Sequence, residues 1–329
     1  MRKFSFGLAI ILIGTALVGI VAVVSRYLRE IRAARARVAS MGSQVIETDC
    51  GPIEYARVGE GYPLLVVHGA MGGFDQGLWV TQSFDVPDYQ IISVSRFGYL
   101  RSPLPADANL NLQADAYAGL LDALGIRQAA VFGISAGSTS TIRFAARHPE
   151  RVSALVLLGP DAPGKVYMTM PPRFVLDRWL RSDFLWWALE TYFWKSVQKA
   201  IGLVPRGFVL TPEYEAMLKK FQTGDLPVSR RMDGLIFESY DLLPEFFASV
   251  SATSPYPLSQ IETPVLVISA LDDPIARAEN VRALAEKIPN ARLCVVPDGG
   301  HFFFGHTEEV KAEITQFLRD NVALLKNNR

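Results

Sequence analysis

Residues 129 to 145 constrain this chain more than any other stretch. They read Ala-Ala-Val-Phe-Gly-Ile-Ser-Ala-Gly and run on into Ser-Thr-Ser-Thr-Ile-Arg-Phe-Ala. A short apolar run meets Gly133-Ile134-Ser135-Ala136-Gly137, and small residues with helical spacing follow. In a strand, tight turn and helix of this kind the serine stands at the apex of a strained turn, its hydroxyl exposed. Its neighbours must then be small enough for two backbones to approach. Glycine and serine also fill ordinary turns, so Ser135 becomes a candidate nucleophile only if a base and an acid stand elsewhere in the chain.

The flanking sequence has the rhythm of an α/β domain. Strands are expected on either side of a Gly-Pro turn at residues 51 and 52, then at 64 to 67 and 91 to 94. Asn109 is the expected N-cap of a helix through Leu124, stopped by Gly125. The apolar strand before Ser135, a helix to His148 and a strand at 154 to 158 follow. Strands that are nearly all apolar, alternating with helices, indicate a parallel sheet covered on both faces. Between 161 and 258 the alternation breaks, with helical stretches, no strand, and four of the five tryptophans (Trp179, Trp186, Trp187 and Trp194). It resumes with strands at 264 to 269 and 292 to 296 and helices at 279 to 287 and 308 to 325.

Taken together, these residues resemble the α/β-hydrolase superfamily over roughly residues 44 to 325. The resemblance implies a mostly parallel central sheet with helices on both faces and a helical cap inserted after the sixth strand. The domains expected are 1–40 as an anchor, 44–160 with 259–329 as the hydrolase core, and 161–258 as the cap. Serine hydrolases of this fold order their triad nucleophile, acid, histidine along the chain. Ser135, Asp273 in Leu-Asp-Asp-Pro-Ile and His301 in Asp-Gly-Gly-His-Phe stand in that order. The implied oxyanion donors are the backbone N–H groups of Ala70, in the His68-Gly69 loop, and Ala136. Asp273 fits the acid register better than Asp272, which becomes a turn residue. Asp161, after the sixth strand, is the other position from which the family draws its acid. His68 is expected to support its loop, His148 to cap a helix, His306 to lie on the surface and Asp298 to shape the turn presenting His301. One departure stands out. Where the family often shows Asp-x-x-Gly-x-Gly-x-Ser, residues 95 to 102 read Ser-Arg-Phe-Gly-Tyr-Leu-Arg-Ser, without the acid or the second glycine.

Residues 4 to 25 carry no charge and are mostly Ile, Leu, Val, Ala and Gly. As a helix they span about 33 Å, enough for a hydrocarbon core of about 30 Å. A cleaved leader has a shorter apolar region, about 7 to 15 residues, and a small-residue cleavage site. Here the run passes straight into Arg26-Tyr27-Leu28-Arg29-Glu30, so an uncleaved single-pass membrane anchor is expected. Residues 1 to 40 hold seven basic residues and one acid, hence +6, although the chain balances 33 Lys and Arg against 33 Asp and Glu. More arginines follow the span than precede it, which places the bulk of the chain on the cytoplasmic side. The arginines at helical spacing are read as contacts to anionic head groups.

The balanced charge points to no nucleic-acid partner. Cys50 and Cys294 lack disulfide-framework or metal-ligand spacing, and Cys294 reads as a buried small hydrophobe. No metal or cofactor is expected. The reaction implied is hydrolysis of a carboxylic ester, hydrophobic or lipid-like, through an acyl-enzyme. Acyl transfer, carbon–carbon hydrolysis, perhydrolysis and a non-catalytic binding protein are the alternatives.

Overall fold

The computed structural model describes residues 2–84, 86, 88–164, 170–205, 207–250 and 257–326. Parts of the expected 161–258 insertion and the last three residues therefore lie outside the described residues. The chain begins with a 39-residue helix, α1 (Arg2–Ser40). Three strands follow, β1 (Gln44–Thr48), β2 (Gly51–Val58) and β3 (Tyr62–Val67), then α2 (Phe74–Ser83) and β4 (Tyr89–Val94). The next elements are α3 (Leu110–Ala123), β5 (Ala129–Ile134), α4 (Gly137–Arg147) and β6 (Val152–Leu158).

Between β6 and β7 the described residues form only helices. They are the short α5 (Arg173–Val175), α6 (Asp183–Ile201), α7 (Pro212–Gly224), α8 (Met232–Phe237) and α9 (Leu243–Ser249). The α/β rhythm closes with β7 (Val265–Ala270), α10 (Ala278–Ala285), β8 (Ala291–Val296) and α11 (Thr307–Lys326).

The eight strands lie in the order β1-β2-β4-β3-β5-β6-β7-β8. From β4 to β8 the pairs are parallel, while β1, β2 and β4 pair antiparallel at one edge. Alternate residues of the central strands divide between two cores because side chains change face at each step. Leu65, Val67, Val131, Leu155 and Val267 meet α3, α4 and α10 on one face. Leu64, Val66, Phe132, Val156 and Ile268 meet α2 and α11 on the other. β5, β6 and β7 are consequently buried along their whole length, as a doubly covered parallel sheet requires.

Three local expectations change. The first turn is Asp49-Cys50, because Thr48 pairs with Gly51; Gly51 and Pro52 already belong to edge-proximal β2. Helix α2 has no expected counterpart. Cys294 is only half-buried, since β8 is the outermost strand and its outer side faces solvent. By contrast, Asn109 caps α3 through bonds from Asn111 N and Leu112 N, and Gly125 turns the chain with φ 67°.

Candidate active site

The order of strands places the site. Successive connections from β3 and β5 leave to opposite sides of the sheet, so their carboxyl ends stand side by side with a crevice above them. The loop His68-Gly69-Ala70 follows β3, and Ser135 follows β5. A β-carbon on Gly137 would lie 2.4 Å from the His68 carbonyl oxygen, and one on Gly69 would lie 3.1 Å from Ser135 Cβ. Only residues without side chains let these two loops meet. Ser135 has φ 47°, a left-handed conformation held by Ser135 N donating to Leu158 O at 2.9 Å and Ser138 N donating to Ser135 O at 2.9 Å.

Asp273 follows β7 and His301 follows β8, so three separated chain segments converge on one point. Ser135 Oγ stands 3.0 Å from His301 Nε2, and His301 Nδ1 stands 2.8 Å from Asp273 Oδ2. The other Asp273 oxygen accepts from Ile275 N and Ala276 N at 2.8 and 3.0 Å, which fixes the carboxylate. With Nδ1–H donated to Asp273, Nε2 is free to accept the Ser135 proton. Burial opposes the charged imidazolium of His301, but the Asp273 carboxylate, with Asp161 adding to it, overcomes burial and raises the pKa above 6.5.

The remaining acids and histidines separate by position. Asp272 Oδ1 accepts from Gly300 N at 2.8 Å and holds the turn that presents His301. Asp161 is near enough to act electrostatically on His301 but does not hydrogen-bond it. Burial, reinforced by Glu238, raises the Asp161 pKa to about 6 against the influence of His301 and Arg96. Asp298 pairs with His306 at 2.8 Å on the surface, away from His301. His148 bridges to Asp115 of α3 at 2.7 Å. His68 is fully buried: its Nε2 accepts from Arg96 N at 3.0 Å, so Nδ1 carries the proton donated to Gly69 O at 2.7 Å. Burial and Arg96 hold His68 well below 6.5, in the neutral form.

Around the His68 loop lie residues that had no signal in the sequence. Gly69 O also accepts from Arg96 Nη2 at 3.0 Å, while Gly69 N donates to Gln76 Oε1 at 2.7 Å. A trans peptide points its N–H opposite its carbonyl. Anchoring Gly69 O on Arg96 therefore turns the Ala70 N–H away from that guanidinium. The Ala136 N–H sits at the N-terminus of α4, where first-turn N–H groups have no helical acceptor and the helix dipole is positive.

The departure at residues 95 to 102 has a physical account. Glu54 of β2, buried, supplies the missing carboxylate: it accepts from Ser95 Oγ at 3.0 Å, Arg101 N at 3.0 Å and Arg101 Nε at 2.7 Å. Leu100 takes the left-handed conformation (φ 52°) in place of the second glycine. The segment also seats the inserted helices. Leu100 N donates to Arg230 O, Gly234 N donates to Gly98 O, and Arg96 forms a buried ion pair with Glu238, which also accepts from Tyr99 Oη at 2.9 Å.

The tryptophans of the insertion point in different directions. Trp187 faces α1, Trp179 is 61% exposed, and the rings nearest His301 are Phe302 and, against it, Phe221. Among the described residues no cluster of three or more His, Cys, Asp or Glu side chains could hold a metal ion.

Comparison with known proteins agrees with this architecture. A family profile described as alpha/beta hydrolase fold matches residues 62–306. The poly(3-hydroxyalkanoate) depolymerase of Ectopseudomonas oleovorans is 28% identical over 263 residues, spanning 78% of this chain and 84% of its own. A 2-hydroxymuconate semialdehyde hydrolase of Pseudomonas putida is 28% identical over 284 residues, spanning 81% and 90%. The solved alpha/beta hydrolase fold protein from Nakamurella multipartita superposes with a TM-score of 0.66 at 28% identity, covering 84% of this chain and 99% of that one.

Proposed function

This chain belongs to the α/β-hydrolase family, and we propose that it is a membrane-anchored serine hydrolase that cleaves a hydrophobic carboxylic ester through an acyl-enzyme. The observation carrying this reading is the continuous relay from Ser135 Oγ through His301 to Asp273, with the serine lifted on a left-handed turn. Serine at its ordinary pKa is a weak nucleophile, so His301 Nε2 takes its proton as Oγ attacks the ester carbonyl. Asp273 holds the imidazole tautomer and stabilises the imidazolium. The N–H groups of Ala70 and Ala136 receive the tetrahedral oxyanion. His301 then protonates the departing alcohol, and water, deprotonated by the same nitrogen, releases the acid.

In this reading residues 44–160 and 259–329 form the catalytic domain and 161–258 its cap. A hydrophobic acyl group is favoured by the aromatic lining beside His301, where Phe302, Phe221 and Trp79 follow one another at ring separations of 5.1 and 6.5 Å. One relative is named for a polyester, in keeping with ester chemistry. Another is named as a semialdehyde hydrolase, which favours hydrolysis of a carbon–carbon bond by the same triad as the second reading.

The anchor reading draws on α1. Its apolar residues from Ile10 to Val24 stand largely exposed, and a stretch of that size is costly in water. The helix continues unbroken past residue 25, where a leader would end. The excess of arginine after the span supports a catalytic domain on the cytoplasmic side.

The test is labelling of the full-length protein in detergent with a fluorophosphonate, followed by turnover of p-nitrophenyl esters of graded chain length. Ser135 is expected to label, and Ser135→Ala to lower kcat by about 10⁴-fold or more with unchanged thermal stability. Activity should rise with pH as His301 loses its proton, through a pKa above 6.5. Folded protein that does not label at Ser135 would exclude the hydrolase reading.

A further inference from the structure

We propose that the second half of α6, carrying Tyr192, Phe193, Lys195 and Lys199, lies in the anionic head-group layer of the bilayer that holds α1. The inserted helices above Ser135 would then touch the lipid surface from which a hydrophobic ester is drawn. This rests on residues 4 to 25 being a membrane span.

The argument begins with how α6 meets α1. Arg35 Nη2 reaches Asp183 Oδ2 at 3.1 Å, at the start of α6. Nearer the apolar span, Glu30 Oε2 accepts from Trp187 Nε1 at 2.7 Å. At the edge of the span, Tyr27 packs against both Phe184 and Trp187 with ring centroids 5.1 and 5.4 Å apart, and the Arg26 guanidinium lies 5.9 Å from the Trp187 ring. Ile31 and Ala34 are buried between these contacts with Trp187 and Leu226. As α1 is followed back from Arg35 to Arg26, its partner on α6 advances from Asp183 to Trp187. The two helices therefore run in opposite senses. Beyond Trp187, α6 continues to Ile201, about 21 Å of helix at the ordinary rise. That length extends toward the side on which α1 becomes a membrane span.

The side chains on that length suit the same place. Tyr192 contacts Trp187 edge-on at 5.8 Å, at the level of Arg26, and is 51% exposed; Phe193 is 58% exposed. Aromatic rings concentrate at membrane interfaces, where an apolar body and a polar edge are both accommodated. The carboxylates of α6 are Asp183 and Glu190, both buried, whereas Lys195 and Lys199 are exposed. The outward charge of the helix is thus positive, as attraction to anionic lipid requires.

The experiment uses the full chain with both native cysteines replaced (Cys50→Ser, Cys294→Ser) and one cysteine introduced by Ile13→Cys, Phe193→Cys or Val209→Cys. Each is labelled with an environment-sensitive fluorophore and reconstituted in vesicles of phosphatidylcholine and phosphatidylglycerol carrying nitroxide lipids. We expect position 193 to be quenched most by nitroxides near the head group, position 13 by nitroxides deep in the acyl chains, and position 209 by neither. Quenching at 13 without quenching at 193 overturns the proposal and leaves the anchor standing. Protection of 193 from an aqueous quencher without nitroxide quenching also overturns it, because the face would then be covered by a second copy of the chain. Absence of quenching at 13 overturns the anchor reading itself. As a second readout, Phe193→Glu should lower turnover of an ester embedded in these vesicles about tenfold while leaving a water-soluble p-nitrophenyl ester unaffected. Equal loss on both esters overturns the proposal.

Discussion

The inserted helices meet the rest of the protein on two faces built from different chemistry. Toward the catalytic sheet the contacts are buried ion pairs. Arg231 at the head of α8 forks onto both oxygens of Asp75 at 3.0 and 2.6 Å and also reaches Gly72 O, and Glu238 pairs with Arg96 beneath the His68 loop. Toward α1 the contacts are aromatic packing, the Glu30–Trp187 bond, three bonds from Arg37 to backbone carbonyls, and an ion pair in which Arg35 stays 61% exposed while Asp183 is buried. Buried charges tolerate only one geometry because any displacement strands them without water. Aromatic faces and solvated charges tolerate many. The difference teaches that this insertion is held against the loops after β3 and β4 by paired buried charges, and against the N-terminal helix by packing and by hydrogen bonds to backbone carbonyls.

The sharpest way to break this comparison is Asp75→Ala. It leaves Arg231 buried and unpaired, and should cost about 3–5 kcal/mol in denaturant unfolding of the detergent-solubilised protein. A loss no larger than that of an exposed pair would remove the distinction between the faces.

Glu238→Gln comes next. It leaves Arg96 with a neutral partner, weakening by about 1.5–3 kcal/mol the Arg96–Glu238 bond that holds the guanidinium on Gly69 O and hence orients the Ala70 N–H. In the proposed mechanism that donor acts on charge developing in the transition state, so kcat should fall about tenfold or more with KM little changed. A rise in KM alone would show that Glu238 binds substrate and does not position the loop.

Inside the insertion, the pH dependence of stability gives a smaller, graded effect. Burial, with Asp225 nearby, raises Glu190 far above the ordinary carboxylate range, and burial raises Asp225 likewise. A raised acid pKa means the folded state holds protons that the unfolded state has released. Stability is therefore full below the ordinary Glu value of 4.5 and is lost as pH rises toward the raised value. Thermal midpoints should fall between pH 5 and 9, and Glu190→Gln should flatten that decline. An unchanged slope in the variant would reject Glu190 as its source.

The smallest effect is expected from Arg35→Ala, below about 1 kcal/mol, since Arg35 is 61% exposed and the buried Asp183 keeps its bonds from Ser229 N and Oγ. A larger loss would mean that the α1 face is as strictly registered as the catalytic one.

Much of the candidate site is legible in the sequence because its parts are local. The small residues flanking Ser135, the strand preceding each loop and the order Ser135, Asp273, His301 are all properties of short segments. Long-range partnerships are not. Glu54, Arg96, Gln76 and Glu238 carry no motif, and they matter only because the sheet and insertion bring them within reach of Gly69 and Ser95. The arginines after the apolar run read as contacts to anionic head groups, yet Arg35 and Arg37 are used inside the protein. Arg37 donates to the carbonyls of Thr223, Gly224 and Leu226, and Arg35 pairs with Asp183.

By itself the sequence determined the alternation of strands and helices, the sharp turn under Ser135, the break after β6 and the long apolar helix. Each follows from side-chain period, residue size or the absence of charge, which act over a few neighbouring residues. Tertiary structure alone decided that His301 pairs with Asp273 and not Asp161, that Glu54 supplies the carboxylate residues 95 to 102 lack, and that the tryptophan-rich helix faces α1. Those outcomes depend on which segments the folded sheet sets side by side. A carboxylate or a ring has no preferred partner until burial removes water as the alternative.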